Sequence, residues 1–124
     1  MLNFLRSSAP SGNRVGRIAP QEAVRMAEAG ELIVIDVRDG MELRASGKAA
    51  GALHVPLMAF RMKCDPASPE CLPELKQGKP IALYCASGAR SAGAAQMLLQ
   101  LGHGTVYNLG GLYDWHAGGG KIER

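Results

Sequence analysis

The 124-residue sequence predicts an α/β fold in which helices cover both faces of a parallel sheet. Two apolar runs carry this expectation. "LIVIDV" (32–37) and "IALYC" (81–85) are continuous and mostly aliphatic, as strands buried on both faces are. The third observation is that segments with helical periodicity alternate with these runs, which parallel strands require for their crossovers.

The elements follow in order. In "RIAPQEAVRMAEAG" (17–30), Pro20 suits a first helical position, Ala23, Val24 and Ala27 share one face, and Gly30 supplies a stop. The first strand comes next. The stretch from Pro56 to Ile81 carries Pro66, Pro69, Pro73 and Pro80, so it predicts a loop-rich connection. After the second strand, Ala94, Met97, Leu98 and Leu101 form a helical stripe that Gly102 ends. "TVYNL" (105–109) reads as a further short strand. No internal repeat and no low-complexity segment is visible.

Composition bounds the function. Hydrophobic residues make up 47% and charged residues 20%, ordinary for a single globular domain. The strongly apolar stretches are far shorter than the ~20 residues of a membrane span. The formal net charge of +3 lies in Arg6, Arg14 and Arg17, ahead of the first acid, Glu22, and the remainder balances to zero. Neither nucleic acid nor a membrane is therefore an expected partner. "MLNFLRSSAPSGNRVG" lacks the apolar core of a secretory signal; its arginines and lack of acids give it a faint likeness to an organelle transit peptide. It is expected to be a flexible leader, residues 1–16, before a domain at 17–120 and an exposed, mobile tail at 121–124. A cytoplasmic, reducing location is the default, with three free cysteines.

Cys85 is the informative one. It ends an apolar strand, where ligands bind in parallel sheets, and "ASGAR" follows. A helix starting near Ala89 or Arg90 would direct its free N–H groups at the sulfur. Thiolates at helix N-termini have pKa values lowered to roughly 3.5–7.5. Gly88 lets the loop curl so that its amides face inward, and Arg90 adds a permanent positive charge. The set suits a thiolate nucleophile attacking an anionic substrate. The competing reading is a small buried hydrophobe, which free cysteines often are.

The motifs "DVRDGMEL", "SGKAAGALHVPL" and "YCASGARSAGAAQMLLQLGHGTVYNLGGLYDW" occur in an order that resembles a rhodanese domain over roughly residues 17–120. The resemblance implies a central, mostly parallel five-stranded sheet flanked by helices. It also implies sulfurtransfer, in which Cys85 takes a sulfane sulfur, becomes a persulfide and passes the sulfur to a thiophilic acceptor. On that likeness Ala86, Ser87, Gly88, Ala89 and Arg90 cradle the persulfide and the donor, and no metal or organic cofactor is needed. The donor would be thiosulfate or a persulfide, and the acceptor a thiol, cyanide or a protein. Two rival readings stand beside it. One is a persulfide carrier for a protein partner. The other is a cysteine phosphatase or arsenate reductase, whose C-x-x-x-x-x-R loop is one residue longer than the stretch from Cys85 to Arg90; Ser91 stands at the phosphatase arginine position.

Other motifs carry weaker expectations. Arg38 is counted with the substrate-binding residues as a second cation, against the alternative that Asp36 and Arg38 hydrogen-bond to hold neighbouring loops. Lys48 stands where the family commonly has His, and His54 reads as structural. Tyr113 and Trp115 are expected to pack as a hydrophobic lid, and Gly110 and Gly111 to make a tight turn. Cys64 and Cys71 fit neither redox nor zinc spacing. They are expected to be incidental thiols in a surface loop, with a redox or persulfide relay to Cys85 as the alternative. No metal-ligand spacing is visible around the histidines.

Overall fold

A computed structural model describes residues 14–124 of the chain. In chain order its elements are β1 (Gly16–Arg17), α1 (Pro20–Glu28), β2 (Ile33–Asp36), α2 (Gly40–Ser46), β3 (Lys48–Ala49), β4 (Leu53–His54), α3 (Phe60–Cys64), β5 (Ile81–Cys85), α4 (Ala89–Gln100), β6 (Val106–Gly111), α5 (Leu112–Ala117) and β7 (Ile122–Glu123). Short 3-10 turns at Leu57–Ala59 and Pro73–Lys76 flank α3 and the proline-rich connection. Five strands form a parallel sheet in the order β1-β6-β5-β2-β4, so β5 lies at its centre. A separate antiparallel pair joins β3 to β7.

The period of two along β5 divides the core. Ile81, Leu83 and Cys85 face one side, with Ile35, Val37, Val106, Phe60 of α3 and Ala94, Ala95 and Leu98 of α4. Ala82 and Tyr84 face the other, with Val34, Leu109, Ala23 and Val24 of α1 and Trp115 of α5. Both faces are therefore covered, which is why β2 and β5 need unbroken apolar sequence. The expected stripe on α4 and the expected face of α1 both pack inward.

Two local features shape the carboxyl end of the sheet. The β5–β6 register runs Leu83↔Asn108 and then Tyr84↔Gly110, so Leu109 is an extra residue that forms a bulge. The bulge places Gly111 opposite Cys85. On the neighbouring strand, α2 is started by a capping box: the Glu42 N–H donates to Asp39 Oδ1 (2.9 Å) and the Asp39 N–H to Glu42 Oε1 (3.1 Å).

Several expectations change here. Gly16 already belongs to β1 and pairs with Tyr107, inside the span read as leader; residues 1–13 lie outside the described residues. The expected tail at 121–124 is part of the domain. Ile122 and Glu123 pair with Ala49 and Lys48, and Trp115 Nε1 donates to the Lys121 carbonyl (2.8 Å). Trp115 is a core residue at 2% exposure, whereas Tyr113 is 79% exposed, so the two do not form a common lid. Cys64 and Cys71 are not surface thiols: α3 and the Leu72 N–H bond to the Lys63 carbonyl (2.9 Å) fold both into the α4-side core. The Cys64 carbonyl meets His103 Nε2 (2.7 Å) beyond the C-terminal end of α4. Cys85 lies at the N-terminal end of that helix, which is about 18 Å long at 1.5 Å per residue. Among the described residues no helix is long and apolar enough to cross a membrane.

Candidate active site

The Cys85 side chain lies at the junction of β5 and α4, 1% exposed, beneath a loop whose Ala86, Ser87 and Ala89 face solvent. Gly88 makes the turn into the helix. Its φ of +101° is open to glycine and strained for other residues, and it directs its own N–H to Cys85 Sγ at 3.0 Å. The Ser91 hydroxyl lies 3.5 Å from the sulfur and 2.8 Å from Asn108 Oδ1, so one proton has two acceptors. Burial raises the pKa of Cys85. The Ser91 hydroxyl and the backbone N–H groups of Ser91, Gly88 and Ser87 outweigh that effect and lower it to about 7. Ser87 and Gly88 lead into a twelve-residue helix and Ser91 belongs to its first turn, so the helix dipole acts in the same direction.

Asn108 braces the loop from β6. Its Nδ2 donates to the Gly88 carbonyl (3.0 Å), and its Oδ1 accepts from the Gly110 N–H (3.1 Å) as well as from Ser91. Gly111 permits the closest approach: a Cβ there would overlap the Ala86 carbonyl oxygen.

A family model for the rhodanese-like domain matches residues 19–118. The chain belongs to that family. A sulfurtransferase of Allochromatium vinosum is 32% identical over 92 residues, covering 73% of this chain and 78% of the relative. The thiosulfate sulfurtransferase GlpE of Coxiella burnetii is 29% identical over 102 residues, covering 82% of this chain and 87% of the relative. A solved structure from Rhodopseudomonas palustris, described as a protein of unknown function and possible tyrosine phosphatase, superposes with a TM-score of 0.73 at 30% identity, covering 84% of this chain and 81% of that one.

Within this rhodanese-like domain the expected site residues part company. Cys85, Gly88 and the start of α4 come together as the sequence predicts. Arg90 sits at the loop but not as a free cation: its Nη1 and Nη2 donate to Glu42 Oε1 (2.7 Å) and Oε2 (2.8 Å). The pairing pulls the Glu42 carboxyl down to about 2 and raises Arg90 further. Arg38 is corrected from the role of second cation. Its buried guanidinium donates to both Asp36 oxygens, to Ser46 Oγ (2.8 Å) and to the Gly47 carbonyl (2.6 Å). Asp36 also accepts from the Tyr84 hydroxyl (2.5 Å), which in turn accepts from the Ala49 N–H (2.9 Å). Asp36 and Arg38 thus join β2, β5, the end of α2 and β3, the structural alternative for this motif.

Three contributors were not identified from the sequence. In the sequence Ser91 is marked only by standing at the phosphatase arginine position. Asn108 carried one signal, a polar residue ahead of Gly110-Gly111 at a strand end. Glu42 carried another, the Asp39-x-x-Glu42 capping pattern. Among the described residues no group of three or more His, Cys, Asp and Glu side chains could hold a metal ion.

Proposed function

We propose that this rhodanese-family protein moves a sulfane sulfur from thiosulfate or a persulfide to a thiophilic acceptor through a persulfide on Cys85. The observation that carries the reading is the Cys85 sulfur at the end of β5, which accepts the Gly88 N–H at 3.0 Å and has the Ser91 hydroxyl 3.5 Å away where α4 begins. In the first half-reaction Cys85 Sγ⁻ attacks the outer sulfur of the donor. An S–S bond to Cys85 forms, the donor's S–S bond breaks, and its electron pair leaves with sulfite or with a thiolate. In the second, the acceptor attacks the outer sulfur and the Cys85 thiolate is restored, giving ping-pong kinetics. Neither displacement requires a metal or an organic cofactor.

In this reading the N–H groups of the loop from Ala86 to Arg90 hold the outer sulfur. Ser91 supports the thiolate as leaving group, an addition to the residues expected from sequence. A sulfur almost fully beneath its loop suits a slender donor atom better than a phosphate tetrahedron, and Ser91 occupies the position where a phosphatase needs arginine. The name of the Coxiella relative supports thiosulfate as one donor. We place the reaction in the cytoplasm, with a small thiol, cyanide or a protein as acceptor.

A carrier that loads sulfur and releases it only to a protein has one observation in its favour. Met41, Met58 and Tyr113 stand 72%, 102% and 79% exposed on the segments that follow β2, β4 and β6. Steady-state turnover with thiosulfate and cyanide separates the readings: an enzyme cycles, whereas a carrier stops after one sulfur per chain. The reading as a whole is tested by the mass of the protein after incubation with thiosulfate, beside Cys85→Ser. One added sulfur, removable by excess thiol and absent from the variant, is expected; no uptake from thiosulfate or a thiol persulfide overturns it.

A further inference from the structure

Two arginines are expected to meet an anionic donor, and each is already paired with a carboxylate. Arg38 is committed to Asp36 in the interior. Arg90 is gripped at both terminal nitrogens by Glu42, at 2.7 and 2.8 Å. Such a fork-to-fork pair uses the same face of the guanidinium that would bind sulfite or thiosulfate oxygens. Glu42 does not reach Arg90 by chance of side-chain wandering. The capping box at the start of α2 anchors its Oε1 to the Asp39 N–H (3.1 Å), so the carboxylate is positioned before any donor arrives. The pair is only partly exposed, at 38% for Arg90 and 31% for Glu42.

A donor approaching Cys85 therefore meets backbone N–H groups and a neutralised rim. For thiosulfate, the thiolate attack is Cys85–S⁻ + S–SO₃²⁻ → Cys85–S–S⁻ + SO₃²⁻, and the leaving group carries two negative charges. For a thiol persulfide it is Cys85–S⁻ + R–S–S⁻ → Cys85–S–S⁻ + R–S⁻, with one charge that water can protonate. Backbone donors serve the transferred sulfur equally in both. A cation for the leaving group matters far more in the first. Resting on the sulfurtransferase reading above, we propose that Glu42 sets donor choice: by occupying Arg90 it withholds the loop's cation from a dianion and favours a thiol persulfide over thiosulfate.

The test is Glu42→Gln. Glutamine keeps a carbonyl for the Asp39 N–H, so the capping box and α2 persist, while the negative charge goes. Loading rates are measured with thiosulfate and with glutathione persulfide for the native protein, for Glu42→Gln and for the double variant Glu42→Gln/Arg90→Gln, with circular dichroism to follow folding. The ratio of thiosulfate to persulfide kcat/KM is expected to rise about tenfold in Glu42→Gln, as release of one unit charge on Arg90, in the first turn after the Cys85 loop, would give. That gain should shrink with added salt and vanish in the double variant. An unchanged ratio, or equal losses with both donors, overturns the role of Glu42. If the native protein accepts sulfur from neither donor, it is the sulfurtransferase reading that fails.

Discussion

Replacing Ser91 with alanine removes the side-chain hydroxyl that, beside the Gly88 N–H, faces the Cys85 sulfur. Its hydroxyl lies 3.5 Å from the sulfur and is shared with Asn108, so its effect belongs at the low end of the about 1.5–3 kcal/mol assigned to bonds with charged groups. At about 1.4 kcal/mol per pH unit, this is a shift of about one unit. The sign follows from what is removed: a donor that stabilises the thiolate is lost, so the pKa rises, from about 7 towards about 8. At neutral pH the thiolate share falls from about half to about a tenth, and sulfur loading slows about fivefold. Above the new midpoint the difference disappears. The rate of Cys85 alkylation by iodoacetamide against pH reads the midpoint directly. An unmoved midpoint, or a loss of rate that persists at alkaline pH, would refute the reasoning and leave Ser91 as a packing residue.

Other perturbations probe the frame. Arg38→Met leaves the buried Asp36 carboxylate without its cation and should cost about 3–5 kcal/mol in denaturant unfolding, with sulfur loading retained in the folded fraction. Gly111→Ala drives a Cβ into the Ala86 carbonyl and displaces the loop; loading should fall about a hundredfold while circular dichroism stays native. Burial pushes the Cys64 thiol up to about 12, so neutral iodoacetamide should label Cys85 in the native protein and reach Cys64 only after denaturation, as peptide mass mapping would show.

The parts legible in the sequence are those that depend on near neighbours. The two apolar runs announce β2 and β5, and the small-residue loop after Cys85 announces a helix start aimed at a sulfur. Two-residue strands such as β1 and β7 have no periodicity to read, so a leader and a tail were expected where Gly16 and Ile122 pair. The electrostatics of the site come from distant pairs. Glu42 meets Arg90 across 48 positions and Asn108 meets Gly88 across 20, and the local patterns around Glu42 and Asn108 do not name these distant partners. Charged residues also carry no label for burial. Arg38 looks like a candidate anion ligand until Asp36, Ser46 and Gly47 are seen to surround it. The proline-rich segment is loop-rich as expected, but its prolines give no sign of the short α3, which carries Phe60 and Cys64 into the core.

The central claim is that the donors around Cys85 hold a transferable sulfur. Intact mass of the reduced protein after exposure to thiosulfate or glutathione persulfide, with Cys85→Ser alongside, tests it most directly. The account predicts a gain of one sulfur atom on the native chain, reversed by excess thiol and missing in the variant. A chain that gains no sulfur from either donor, or a Cys85→Ser variant that gains it equally, would contradict the account.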